Sequence, residues 1–290
     1  MASFVEEIIK GRKTFFIAPD KSLFPESYLE EFLTLGYECY FIDTDIFLPI
    51  AVKIDIILSI FKDSIIFINI DAPIQNDSWS NLIHKANLKY PEAMFGVTFT
   101  KRLVSGEKER LEKFYILNVG CKCGAIQLEY QKKNNFYILQ KTLYANQAMG
   151  RRKSVRAVCT SSCSVKIIDK EQKVYTAKLN DISLSHFSIT VQGQDQFSIK
   201  DFERFQDVQF YVKGLHFRND CVLYMRRPVE NGELFIFAFA TKSGTPGLDP
   251  VNKKLLIPKI YTIMEENCQD LLTKLFKTAL EQREKPPLEL

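Results

Sequence analysis

The apolar positions of this chain follow two different periods, and the change from one to the other falls near residue 150. In the first half, short apolar runs alternate with segments whose apolar residues recur every three or four positions. KTFFIAP (13–19), YECYFID (37–43), SIIFINID (64–71), AMFGVTFT (93–100) and GAIQLEY (124–130) read as strands, and SIIFINID is the clearest buried one. Between and after them, PESYLEEFLTLG (25–36), PIAVKIDIILSIF (49–61), WSNLIHKANLKY (79–90), EKERLEKFYILN (107–118) and NNFYILQKTLYANQA (134–148) read as helices. Gly36 closes the first of these and Pro91 stops the third. Five βα units predict a doubly wound, largely parallel five-stranded sheet with helices on both faces, because parallel neighbours require a long crossover.

Beyond residue 150 the period shortens to that of strands. SCSVKII (162–168), KVYTAKLND (173–181), HFSITV (186–191), DVQFYVK (207–213), DCVLYMR (220–226) and ELFIFAFAT (233–241) are separated by polar or glycine-containing turns. Six such strands predict a small antiparallel barrel. Gly244, Pro246, Gly247 and Pro250 then punctuate the chain before a last amphipathic helix, in which Leu256, Ile260, Ile263, Met264, Leu271, Leu272, Leu275, Phe276 and Leu280 recur at helical spacing. The organisation expected is an α/β domain over 1–148, a linker over 149–158, a barrel over 159–245 and a C-terminal helix over 251–284. That helix has three open readings: a cap on the barrel, a dimerisation surface, or a docking surface for a partner protein.

Charge narrows the functional classes. Thirty-nine basic residues are offset by thirty-five acidic ones, a net charge of +4 over 290 residues. A dedicated nucleic-acid binder would carry more, so any functional positive charge must be local. The start, MASFVEEIIKGRKTFFIAP, has acids where an export signal needs a basic segment and an unbroken apolar core. The apolar stretch IAVKIDIILSIF is interrupted by Lys53 and Asp55, so no membrane span is expected. Seven cysteines, an odd number at irregular spacing, give no pairing framework and fit a reducing cytoplasm.

Common catalytic signatures are missing. No Walker loop or GxGxxG follows a strand, and no nucleophile elbow occurs. Cys121 and Cys123 form a CxC, but the histidines, at 84, 186 and 216, and the other cysteines lack zinc-site spacing; the two read as buried or incidental thiols, with no metal or other cofactor. Aromatic clusters such as FIFAF could mimic a base-stacking surface but read first as core.

The linker is the exception. GRRKSVRAV (150–158) crowds Arg151, Arg152, Lys153 and Arg156 at the junction of the two patterns. A basic connector is the simplest account of such a run. Yet Arg152 and Arg156 are four residues apart, so a curled segment can bring two or three guanidiniums around one anion. Guanidinium forks suit phosphate oxygens, the O6/N7 edge of guanine, or its face. About thirty residues on, NDISLSH (180–186) supplies Asp181, a carboxylate able to accept from guanine N1 and N2, and Ser183, a hydroxyl for phosphate or backbone.

Arg152-x-x-x-Arg156 followed by Asp181-x-Ser183 in an all-β context resembles the PilZ domain, a bacterial receptor for cyclic di-GMP. The family's second motif is [DN]xSxxG; here the last position is His186. Glycine there permits a left-handed backbone and close approach to a ligand, so His186 is expected to carry a cost in φ and to add a bulky ring. The resemblance covers about residues 148–245 and implies that Arg151, Arg152, Arg156, Asp181, Ser183 and His186 line a cyclic di-GMP site. It further implies that the loop folds over one ligand or an intercalated pair, the pair being favoured by Arg151. Since this loop also connects the domains, binding would reorient them and regulate an unidentified protein partner, of the flagellar motor or a regulatory complex, in motility, attachment or virulence. No catalytic turnover is implied. A PilZ-like scaffold that has lost its ligand and works only through protein contacts is the rival reading.

The first domain is similar to accessory domains that precede PilZ domains in spirochaetes, and also to response-regulator receivers. Asp20, Asp71, Thr98, Thr100 and Lys132 fall at or after strand ends, where receivers place acids for magnesium, a phosphoacceptor, a hydroxyl and a cation. Receivers, however, have paired acids after the first strand, whereas here Pro19 precedes a lone Asp20. A degenerate partner domain without ligand is the expectation.

Overall fold

A computed structural model of the chain describes residues 11–44, 48–74, 77–129, 132–150, 152–159, 163–168, 171–191, 200–230 and 232–284. Two compact units emerge, one from residues up to Lys153 together with the chain from Gln269 onward, the other from Ser154–Cys268.

In the first unit, strands β1 (Thr14–Ala18), β2 (Cys39–Asp43), β3 (Ile65–Asn69), β4 (Met94–Phe99) and β5 (Ala125–Gln127) form one parallel sheet in the order β2-β1-β3-β4-β5. Helices α1 (Glu26–Thr34), α2 (Ile50–Ile60), α3 (Trp79–Lys89) and α4 (Ser105–Lys113) supply the crossovers, and α5 (Lys132–Ala145) follows the last strand. Every residue of β1 and β3 is buried, as expected for central strands covered on both faces. Phe16 stacks on Phe24, Phe32 and Phe67, which ties the first crossover to the sheet. The doubly wound sheet is therefore present, with one local departure: the helix expected through residue 118 changes at Phe114 into a π-helical turn, Phe114–Val119. That turn exposes Phe114, Ile116 and Leu117.

The second unit is a closed barrel. Strands β7 (Cys163–Ile168), β8 (Val174–Ile182), β9 (His186–Val191), β10 (Arg204–Val212), β11 (Leu215–Val229) and β12 (Gly232–Ala240) pair antiparallel in the order β8-β7-β10-β11-β12-β9, and β9 returns to β8. Closure removes the sheet edges that a flat arrangement would leave exposed. The interior is built from Phe187, Phe210, Phe217, Phe237 and Phe239, whose rings contact one another with centroids 4.8–5.4 Å apart. β11 is much longer than its apolar core, because Met225 to Val229 continue the pairing with β12 through residues that stay exposed. A further strand, β6 (Ala157–Val158), lies inside the expected linker and pairs with Ile182 and Asp181 of β8.

The last helix, α6, runs Pro250–Glu284. Leu256, Ile260, Ile263, Met264 and Leu272 are buried as their spacing predicts, and Tyr261 and Cys268 join them; Leu271 instead faces outward, 42% exposed. No described helix is long and apolar enough to cross a membrane.

Candidate functional site

The linker is fastened at each end within a different unit. At its start, Arg12 N donates to Ala148 O (3.1 Å), and Gly11, at φ +70°, lies so close that a Cβ there would stand 2.5 Å from Gly150 N. Only glycine fits such a backbone-to-backbone approach. Gly36, at φ +90°, packs in the same way near Met149 and the Lys153 carbonyl. At its end, Ala157 and Val158 are held in β6, and Asn267 Nδ2 of α6 donates to Val158 O (2.7 Å). Between these fastenings residues 152–156 adopt neither helix nor strand. Arg152 is exposed and Arg156 half-buried; Arg151 lies outside the described residues.

On the barrel, the second motif is displayed by a β-bulge. Leu179 stands opposite Ile189 while Asp181 stands opposite Ser188, so Asn180 is one residue in excess on β8. Strict alternation would send Asp181 to the same side as the buried Leu179. The bulge turns it outward and leaves the buried Ile182 to resume the inward set. Asn180 and Asp181 then bond alternate residues of β9, the half-buried Thr190 and the buried Ser188: Asn180 Nδ2 donates to Thr190 Oγ1 (2.7 Å), and Ser188 Oγ donates to Asp181 Oδ2 (2.8 Å).

Ser183, 1% exposed, closes the β8–β9 hairpin. Its amide and hydroxyl both donate to His186 O (2.8 and 3.0 Å), and its hydroxyl accepts from the amides of His186 (3.0 Å) and Ser185 (3.3 Å). A serine so enclosed shapes the turn by local side-chain-to-backbone bonding.

His186 differs from expectation. It begins β9 as an extended strand residue and is not among the residues of positive φ, so no left-handed strain arises at this position. Its ring is the remaining consequence of replacing glycine. Half-buried, it pairs with Ser185 Oγ through Nδ1 (2.9 Å) and meets the ring of Tyr224 edge-on, with centroids 5.5 Å apart at 74°. Burial, and next the charge of Arg156, hold the imidazole below its ordinary pKa, with Asp181 pulling the other way. Arg156, His186 and Asp181 therefore share one electrostatic neighbourhood. Tyr224, 58% exposed and in the middle of β11, has no counterpart in either motif, and spacing alone gives no sign of it.

The receiver-like positions of the first unit are arranged differently. Asp71 follows β3, and both of its oxygens accept from Thr100: the amide reaches Oδ1 (3.1 Å) and Oδ2 (2.8 Å), and the hydroxyl reaches Oδ2 (2.8 Å). Asn69 Nδ2 adds a further donor to Oδ2 at 3.0 Å. Asp20 accepts from the Ser22 hydroxyl and amide, each at 2.7 Å, and these bonds lower its pKa. Thr98 is buried within β4 rather than presented at the sheet edge. Lys132 opens α5, and its side chain lies outside the described residues. Among the described residues no three His, Cys, Asp or Glu side chains are grouped to hold a metal. Cys121 and Cys123 are buried, which pushes both thiols up to about 12.

No family model matches the chain, and no curated protein does. Solved structures of PilZ domains do match part of it. The PilZ domain of YcgR from Escherichia coli with c-di-GMP is 15% identical over 43% of this chain and 98% of that one, with a TM-score of 0.35. YcgR from Escherichia coli in complex with c-di-GMP is 15% identical over 44% of this chain, TM-score 0.36, and the match spans 51% of its length. The inhibitor of motility MotI/DgrA of Bacillus subtilis is 12% identical over 39% of this chain and 50% of its own, TM-score 0.31.

Proposed function

We propose that this chain is a cyclic di-GMP-binding effector, with the site on the barrel and the switch in the linker. The observation that supports this reading is that the linker, held at its end by β6 against β8, brings the charge of Arg156 to bear on His186, beside Asp181 on the bulge of β8. Arg151, Arg152 and Arg156 hold phosphates and guanine edges through planar forks, which a point charge could not do. Asp181, aimed outward by its bulge, accepts from the Watson–Crick edge of guanine. Ser183 keeps the hairpin in the shape that presents Asp181, and His186 borders the base.

Closing the arginines over the ligand orders 152–156 and thereby favours one arrangement of the two units over others. The extent of that shift equals the difference in affinity for the arrangements. The output is regulation of a protein partner in motility, attachment or virulence, by a binding protein without catalytic turnover.

One observation favours the rival reading of a ligand-free scaffold: the His186 ring occupies space that glycine would leave open, and it is already engaged by Ser185 and Tyr224. Calorimetric titration of the intact protein with cyclic di-GMP separates the two. Saturable one-to-one or two-to-one binding at micromolar ligand is expected, and no heat at those concentrations leaves the scaffold reading standing.

A further inference from the structure

We infer that Tyr224, carried on a second bulge and set against His186, is a base-stacking residue of the ligand site. This rests on the functional reading above and extends it to a residue outside both motifs.

The backbone explains the placement. Leu223 pairs with Phe237 and Met225 with Ile236, so two steps on β11 answer one on β12 and Tyr224 is the residue in excess. Leu223 is fully buried, whereas Tyr224 and Met225, 58% and 44% exposed, both face out. Bulges re-aim side chains in this manner. On the adjoining strand Ala238 stands between β9 and β11, opposite His186 on one side and Val222 on the other. Its methyl group is small enough for the two rings to meet across it at 5.5 Å.

The result is a wall of two rings over a low floor, on the strip that also carries Asp181 and the electrostatic reach of Arg156. An exposed tyrosine has a flat apolar face that a purine can cover, and the edge-on contact with His186 fixes the ring in orientation beforehand. Arginine forks hold the phosphates, the carboxylate reads the base edge, and an aromatic face is the component otherwise lacking. The ligand class this favours is a purine dinucleotide over an inorganic or sugar phosphate.

Titration of the full-length chain with cyclic di-GMP, and with an analogue bearing 2-aminopurine in place of one guanine, tests the assignment. Tyr224→Ala is expected to weaken binding about tenfold and to relieve the stacking quench of 2-aminopurine fluorescence, while Tyr224→Phe retains affinity within about twofold. Unchanged affinity and quench in Tyr224→Ala, with the wild type binding, overturns this inference alone. A Phe variant as weak as the Ala variant also overturns it, since the hydroxyl rather than the face would then matter. Absence of binding by the wild type overturns the functional reading and this inference with it.

Discussion

The carboxyl edge of the parallel sheet and the outward strip of the barrel both gather polar side chains, but they use them in opposite ways. At the sheet edge, the exposed carboxylates are met by several local donors each, Asp71 by Thr100 and Asn69 and Asp20 by Ser22, whereas Asp181 on the barrel is met by the Ser188 hydroxyl. On the barrel, two bulges turn Asp181 and Tyr224 outward beside His186, and a half-buried arginine acts on that histidine through space. A doubly wound sheet collects polar residues at its strand ends whatever it does, whereas a bulge that reverses a side chain's face is a local departure from the simplest ladder. The second is the better indicator of a site.

The largest effect should come from undermining the strip from below. Phe187 lies between His186 and Ser188, is fully buried, and contacts Phe210, Phe237 and Phe239. Phe187→Ala should cost about 3–5 kcal/mol, read from urea denaturation, and should abolish cyclic di-GMP binding wherever the barrel is unfolded. A cost below about 1 kcal/mol would mean that the barrel core is not organised around this ring.

Next is the linker itself. Arg152→Ala/Arg156→Ala should lower affinity for cyclic di-GMP by about a hundredfold, since each charge-assisted bond is roughly twice as strong as a neutral one. The melting midpoint should stay within a few degrees of wild type. Retained affinity in this variant would move the site away from the linker.

A smaller effect should follow at the sheet edge. Asp71→Ala leaves the Thr100 amide and hydroxyl without their acceptor and should cost about 1–2 kcal/mol in denaturation, with cyclic di-GMP affinity unchanged. Acetyl phosphate with magnesium should produce no Asp71-dependent gain in intact mass. A gain would reopen the receiver reading and erase the contrast between the two regions.

The smallest effect is electrostatic. The imidazole of His186 is held below its ordinary value of 6.5 by burial and by Arg156. A histidine depressed in the folded state contributes stability that is present above the unfolded value and lost as pH falls through the folded one. Arg156→Ala should therefore raise the His186 midpoint toward 6.5, followed by imidazole C–H shifts in an NMR titration, and soften the loss of stability below it. No movement of that midpoint would separate Arg156 from the strip.

Much of this architecture was legible in the sequence, for identifiable reasons. Strands such as FFIA and IIFIN are buried on both faces and read as unbroken apolar runs, and the barrel strands alternate, so period alone located them. Arg152, Arg156, Asp181 and Ser183 stand out as candidates because their spacing forms a recognisable pair of motifs. Bulges leave no such trace. The excess residues Asn180 and Tyr224 look like ordinary strand positions until the partner strand is known, so neither the outward turn of Asp181 nor the place of Tyr224 could be read in advance. β6 was hidden for a related reason: two residues pairing with a distant strand have no period. At His186 the family's glycine implies a left-handed backbone that this hairpin, closed by Ser183, does not use.

The central claim, that the barrel strip and not the sheet edge is the ligand site, is tested most directly by amide hydrogen exchange of the full-length chain with and without saturating cyclic di-GMP. Slowed exchange is expected in 151–158, 180–188 and around Tyr224, with 69–73 and 98–101 unchanged. Protection at the sheet edge, or at neither region while ligand is bound, would contradict it.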